Sequence, residues 1–97
     1  MASFVILGNQ TDQGIKNIKG LPDRLAEQRQ KLEAAGGRMI AYYTTMGAYD
    51  FVAVVELPDA ATGAGMLLAT AGQGNVRTTT MQAFTEEETA SIVASLP

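Results

Sequence analysis

Two strand-like segments that are apolar on both faces constrain this chain most. Phe4-Val5-Ile6-Leu7 is an uninterrupted β-type run, and successive side chains of a strand point to opposite sides. Phe4 and Ile6 therefore face one way, Val5 and Leu7 the other. In the segment Phe51 to Leu57, Phe51, Ala53 and Val55 oppose Val52 and Val54. An antiparallel sheet with one wet face alternates apolar with polar residues. These segments do not alternate, so the sheet they belong to needs cover on both faces.

The rest of the chain says what cover is available. Gly8 to Gly14 reads as a turn. From Ile15 the period changes: Ile15, Ile18, Leu21, Leu25, Leu32 and Ala35 mark one face of a helix, with a polar gap at Gln28 and Arg29. Pro22 and Asp23 suit the first turn of its main part, Glu27 and Lys31 form an i,i+4 pair, and Gly36-Gly37 ends it. Arg38 to Thr45 and Phe51 to Leu57 are strands joined by Met46 to Asp50, a connection short enough to demand an antiparallel hairpin. Asp59 is a good N-cap for a helix over residues 60–71, built mostly of small residues. Gly63 and Gly65 each cost that helix about 1 kcal/mol, and close packing on a sheet is expected to offset the cost. Val76 to Phe84 is a fourth strand. Thr85-Glu86-Glu87-Glu88 forms a capping box with an acidic first turn, opening a short helix that carries Ile92, Val93 and Leu96.

The order β-α-β-β-α-β plus a C-terminal helix predicts an α+β, ferredoxin-like plait: a four-stranded antiparallel sheet with both main helices on one face. No linker or repeat divides the chain, and 97 residues suit one domain spanning residues 1–97. Two helices leave the second sheet face bare. Four strands about 4.8 Å apart and about 20 Å long present roughly 400 Å² in projection. Burying it is worth on the order of 10 kcal/mol per protomer, so two such faces can outweigh an association cost of roughly 4–15 kcal/mol. A face-to-face homodimer, or a higher homo-oligomer, is the expected answer.

Absent residue types narrow the chemistry. The chain has no His and no Cys, which excludes disulfides, thiolate metal centres, histidine-ligated haem and the Ser-His-Asp triad. The acidic residues show no metal-ligand spacing, so neither a metal nor a cofactor is expected. Seven Lys and Arg against ten Asp and Glu give a net charge of -3, which argues against nucleic acid as a partner. The longest apolar run is far too short to cross a bilayer, and the N-terminus lacks the pattern of a signal peptide. The expectation is a cytoplasmic protein without a membrane partner.

Four stretches together resemble a known family. Thr11-Asp12-Gln13-Gly14-Ile15-Lys16-Asn17-Ile18 resembles the opening motif of the GYD domain family. Gly47-Ala48-Tyr49-Asp50, followed by Phe51-Val52-Ala53-Val54-Val55-Glu56, resembles the signature that names it. Gly72-Gln73-Gly74-Asn75-Val76-Arg77-Thr78 and Ala83-Phe84-Thr85-Glu86-Glu87 are similar to its fourth strand and tail. Ala48 stands as an extra residue between the Gly and the Tyr-Asp pair. The resemblance spans nearly the whole chain. It implies a dimeric α/β barrel and no particular activity, since the role of the family is not established.

Several residues are candidates for chemistry. Tyr49 and Asp50 place a phenol beside a carboxylate, a pair able to orient or deprotonate a small substrate without imidazole; the alternative is that Asp50 satisfies turn amides. Tyr42 and Tyr43, adjacent in a strand, point to opposite faces, one under the helices and one into the barrel. Asp12, Lys16 and Asn17 begin the first crossover, where free amides can hold an anion or simply be capped. Arg77 can clamp a carboxylate or pair with Glu56 or Asp50. The candidate catalytic residues are thus Tyr49 and Asp50, and the candidate ligand-binding residues Tyr42, Tyr43, Lys16, Asn17 and Arg77. The leading functional reading is a homo-oligomeric binding or assembly protein, with room in its barrel for a small apolar ligand. The alternative is a cofactor-independent enzyme of monooxygenase or isomerase type acting on a small organic substrate.

Overall fold

In a computed structural model that describes all of residues 1–97, the chain runs β1 (Ala2–Gln10), α1 (Asp12–Lys16), a 3-10 turn (Ile18–Gly20), α2 (Leu21–Ala34), β2 (Arg38–Thr44), β3 (Phe51–Leu57), α3 (Ala60–Gly72), β4 (Val76–Ala83) and α4 (Glu86–Ala94). The four strands form one antiparallel sheet in the order β2-β3-β1-β4. This is the expected α+β, ferredoxin-like arrangement with a C-terminal helix.

β1 is longer than its apolar run. It lies between β3 and β4 and pairs with both, from Ala2↔Leu57 to Gly8↔Phe51 on one side and from Ser3↔Ala83 to Gln10↔Val76 on the other. The β4 ladder holds Gly8, Asn9 and Gln10 in the strand although their side chains do not call for it, and of the three only Gly8 pairs with β3 as well. Gly8 is where the phenyl ring of Phe51 crosses: a Cβ there would lie 2.0 Å from the ring. The first crossover also differs from one continuous helix. A short α1, capped by the Thr11 side chain, and a 3-10 turn precede α2, which begins at Leu21 with Pro22 in its first turn. Proline lacks an amide hydrogen and suits a helix start rather than an interior. The break turns Ile15 and Ile18 outward, leaving both exposed.

Helix α2 ends in a Schellman motif. The Gly37 amide donates to the Leu32 carbonyl at 2.8 Å and the Gly36 amide to that of Glu33 at 3.0 Å, with Gly36 at φ +85°. The Asp59 carboxylate caps α3 by accepting from the Thr62 amide at 2.8 Å, and this hydrogen bond holds its pKa below the ordinary value. Thr85 and Glu88 close the capping box of α4 reciprocally.

The helices lie over one sheet face. Phe4, Leu32, Val55 and Leu57 form the centre of the core, with Ile6, Met39 and Met66 packed against it. Gly63 lets α3 approach: a Cβ there would sit 3.0 Å from the Phe4 ring, whereas nothing lies within 4 Å of Gly65. Close packing thus accounts for Gly63 and not for Gly65. Gly65→Ala is expected to stabilise the protein by about 0.5–1 kcal/mol, and Gly63→Ala to lower the melting temperature, both read by thermal denaturation at matched concentration.

The opposite sheet face carries Val5, Leu7, Val52 and Val54 at its centre, flanked by Ala41, Tyr43, Thr79 and Met81. Nothing in the chain covers it: Tyr43 is 66% and Met81 48% exposed. Helix α4 covers neither face, and Phe84, Ile92, Val93 and Leu96 are all exposed. The Cα radius of gyration is 14.6 Å, against about 12.5 Å for a compact chain of this length.

Candidate functional site

The Gly-Ala-Tyr-Asp turn is a fastening. Continuing the register beyond Gly8↔Phe51, the next β1 amide that faces β3 is that of Gln10. It donates to Asp50 Oδ2 at 2.8 Å, so a side chain supplies what the ladder no longer can. The Asp50 amide donates to the Gly8 carbonyl and its carbonyl accepts from the Thr45 amide, each at 2.8 Å. Asn9 Nδ2 donates to the Ala48 carbonyl at 3.1 Å, and Thr45 Oγ1 to the Tyr49 carbonyl at 2.7 Å. Asp50→Ala is expected to cost about 1–3 kcal/mol by orphaning the Gln10 amide. Asp50→Asn, which keeps an acceptor, should recover most of that in urea denaturation.

The Thr11-Asp12-Gln13-Gly14 motif is a second fastening, tying α1 to the start of β4. The Thr11 amide donates to the Asn75 carbonyl at 3.0 Å and Thr11 Oγ1 to the Gly74 carbonyl at 2.6 Å. Gln13 Nε2 donates to the Gln73 carbonyl at 2.9 Å and to Asn75 Oδ1 at 3.1 Å. Gly14 is buried where α1 meets the segment leading into β4, and a Cβ on it would lie 2.1 Å from the Asn75 carbonyl oxygen.

Between the sheet and the helices lies a cavity of about 130 Å³. Its apolar walls include Ile6, Leu21, Leu25, Phe51, Met66 and Leu67, and its polar lining includes Gln10, Arg24, Gln28, Tyr42, Thr78 and Thr80. Tyr42 gets there through a β-bulge in β2. The register shifts between Met39 and Ala41, so that Met39 and Tyr42 oppose Val55 and Ala53 on the helix side. The Tyr42 ring stacks on Phe51, with centroids 5.6 Å apart and planes at 18°. Burial pushes its phenol pKa above the ordinary value, so at neutral pH it is a hydrogen-bond donor rather than a base.

The sequence candidates do not gather in one place. Tyr42 lines the cavity, while Tyr43 stands on the open sheet face opposite Val52. Tyr49 and Asp50 are in the hairpin fastening and outside the cavity wall. Lys16 and Asn17 are exposed at the end of α1, the Asn17 carbonyl accepting from Arg24 Nη1 at 2.9 Å. Arg77 lies opposite Asn9 on the open side. It pairs with neither Glu56 nor Asp50, because Glu56 lies toward the other end of β1 and is taken by Arg38 at 3.2 Å. No three acidic side chains come close enough to hold a metal ion.

Arg24, Gln10, Gln28, Thr78 and Thr80 were not candidates from the sequence. The signal for two of them was present: Leu21, Arg24, Leu25, Gln28 and Leu32 follow the i, i+3, i+4, i+7, i+11 spacing of one helix face. Two polar residues therefore interrupt the buried stripe.

The model of the GYD domain matches residues 4–93, almost the whole chain. This chain belongs to the GYD domain family. A curated relative from Thermus thermophilus is 42% identical over 85 residues, which are 87% of this chain and 90% of that protein; it is named glutamine synthetase and cystathionine beta-lyase binding protein. No solved structure matches significantly. Within this GYD domain no helix is long and apolar enough to cross a membrane.

Proposed function

We propose that this GYD protein is a binding module that works as a homo-oligomer in the cytoplasm. Two copies close their open sheet faces on each other to form a dimeric α/β barrel, and the assembled particle binds other proteins. The observation that carries this reading is the uncovered face built on Val5, Leu7, Val52 and Val54. Only nine of 97 residues are buried in the isolated chain, and a contiguous apolar surface of this kind marks an interaction site. The exposed apolar residues of α4 and of Phe84 add a second surface that a neighbouring copy can cover.

The relative's name supports protein partners. With this chain immobilised, glutamine synthetase from its own host is expected to bind saturably and reversibly, read by biolayer interferometry. The same result is expected with cystathionine beta-lyase. Absence of binding by both at micromolar concentration contradicts the partner reading.

A further inference from the structure

We infer that the cavity between the sheet and the helices is a binding site for a small apolar monocarboxylate, about the size of benzoate. Three residues of its wall, on three different elements, each hold a polar atom that is sealed from solvent and has no hydrogen-bond partner: Gln10 Oε1 on β1, Arg24 Nη2 on α2 and Thr80 Oγ1 on β4. Buried polar groups are nearly always paired, and leaving one unpaired is costly. Gln10 Oε1 packs against Gly14 and can only accept. Arg24 Nη2 and Thr80 Oγ1 can both donate, and two unpaired donors in the wall of one cavity point to a missing acceptor there.

The chemistry of that partner follows from the wall. Arg24 is the one charged residue lining the cavity, and no Asp or Glu faces it. Its other terminal nitrogen is held by the Asn17 carbonyl, which fixes the guanidinium and leaves Nη2 without a partner. An unpaired guanidinium in a largely apolar chamber favours an anion, and the planar fork matches a carboxylate. Thr80 can donate to such an anion or accept from it, according to its rotor. The phenol of Tyr42 and the amide of Gln28 add further donors to the same wall.

Size limits the rest of the ligand. A dry apolar cavity of about 150 Å³ takes up benzene, so about 130 Å³ suits one ring or a short branched chain. The stacked Tyr42 and Phe51 rings offer an aromatic surface at one side. Access lies between α2 and α3. Gln28 and Thr70 line both the cavity and an outer groove that also holds Lys31, and a single hydrogen bond of 3.2 Å from Gln28 Nε2 to Thr70 Oγ1 joins them.

The site belongs to one chain, so it stands or falls separately from self-association. The test is titration of the full chain with benzoate at neutral pH, followed by amide chemical shifts, with benzyl alcohol as the neutral comparison. Benzoate is expected to shift residues of β1, β4 and α2 around the cavity and to bind about tenfold or more tighter than benzyl alcohol. Arg24→Met should abolish that preference while Arg24→Lys retains part of it; Thr80→Val, a smaller change, should weaken benzoate alone. Equal binding of the two ligands to the wild-type chain would show an apolar void with no anion site and overturn the inference. So would the absence of any saturable shift up to about 10 mM benzoate, or perturbations confined to exposed lysines and arginines.

Discussion

Gly14→Ala is expected to destabilise the protein by about 2–3 kcal/mol, the upper part of the range for forcing atoms into filled space. The added Cβ would lie 2.1 Å from the Asn75 carbonyl oxygen and 2.6 Å from Gln10 Oε1. Asn75 is backbone at the mouth of β4, so it cannot swing away as a side-chain tip would. Moving it pulls on the Thr11 amide and on the Thr11 hydroxyl bonded to Gly74. It also disturbs both bonds from Gln13 Nε2. At about 4–8 °C per kcal/mol for a domain of this size, the melting temperature should fall by about 10 °C or more. Thr11→Ala, which removes the cap and the Gly74 bond without adding bulk, should cost less. Equal stability of Gly14→Ala and wild type would mean that the α1–β4 fastening is not as drawn.

If two copies close their open sheet faces as proposed, Val54→Asp is expected to leave the protein a monomer. Val54 sits at the centre of the open face, opposite Val5 on one side and Ala41 on the other. In an isolated chain the carboxylate stays hydrated and the cost is small. In a closed barrel it would be buried without a partner, which costs several kcal/mol, so dimer affinity should fall by about a hundredfold or more. Leu68→Asp, on the outer side of α3 where the residue is 74% exposed, should leave the mass unchanged. Size-exclusion chromatography with light scattering distinguishes these outcomes.

What the sequence revealed was what local chemistry decides. The cap at Asp59, the box at Thr85 and Glu88 and the stop at Gly36-Gly37 each depend on residues a few positions apart, and each is where the sequence placed it. The doubly apolar pattern of β3 likewise appears as Phe51, Ala53, Val55 and Leu57 buried beneath the helices, with Val52 and Val54 on the other side. What the sequence concealed depends on distant partners. The extension of β1 through Gln10 is imposed by β4 and by Asp50, some forty residues away or more in the chain. The bulge that turns Tyr42 toward the helices leaves no mark in the residues around Ile40. The cavity is hidden for the same reason. Arg24, Gln10 and Thr80 look like separate surface residues until three elements carry them to one wall.

Among the candidate residues, the same division holds. Tyr49 and Asp50 attract notice as a phenol next to a carboxylate, yet their hydrogen bonds go to β1 and to the base of their own hairpin. Tyr42 is the candidate that the fold carries to the cavity.

The central claim is that the open sheet face is buried against a second copy. The measurement that reaches it most directly is the mass of the wild-type protein in solution at micromolar concentration, by light scattering or native mass spectrometry. A mass at least twice that of the 10.2 kDa chain is the result this account predicts. A stable monomer with the Val5, Leu7, Val52 and Val54 surface in water would contradict it.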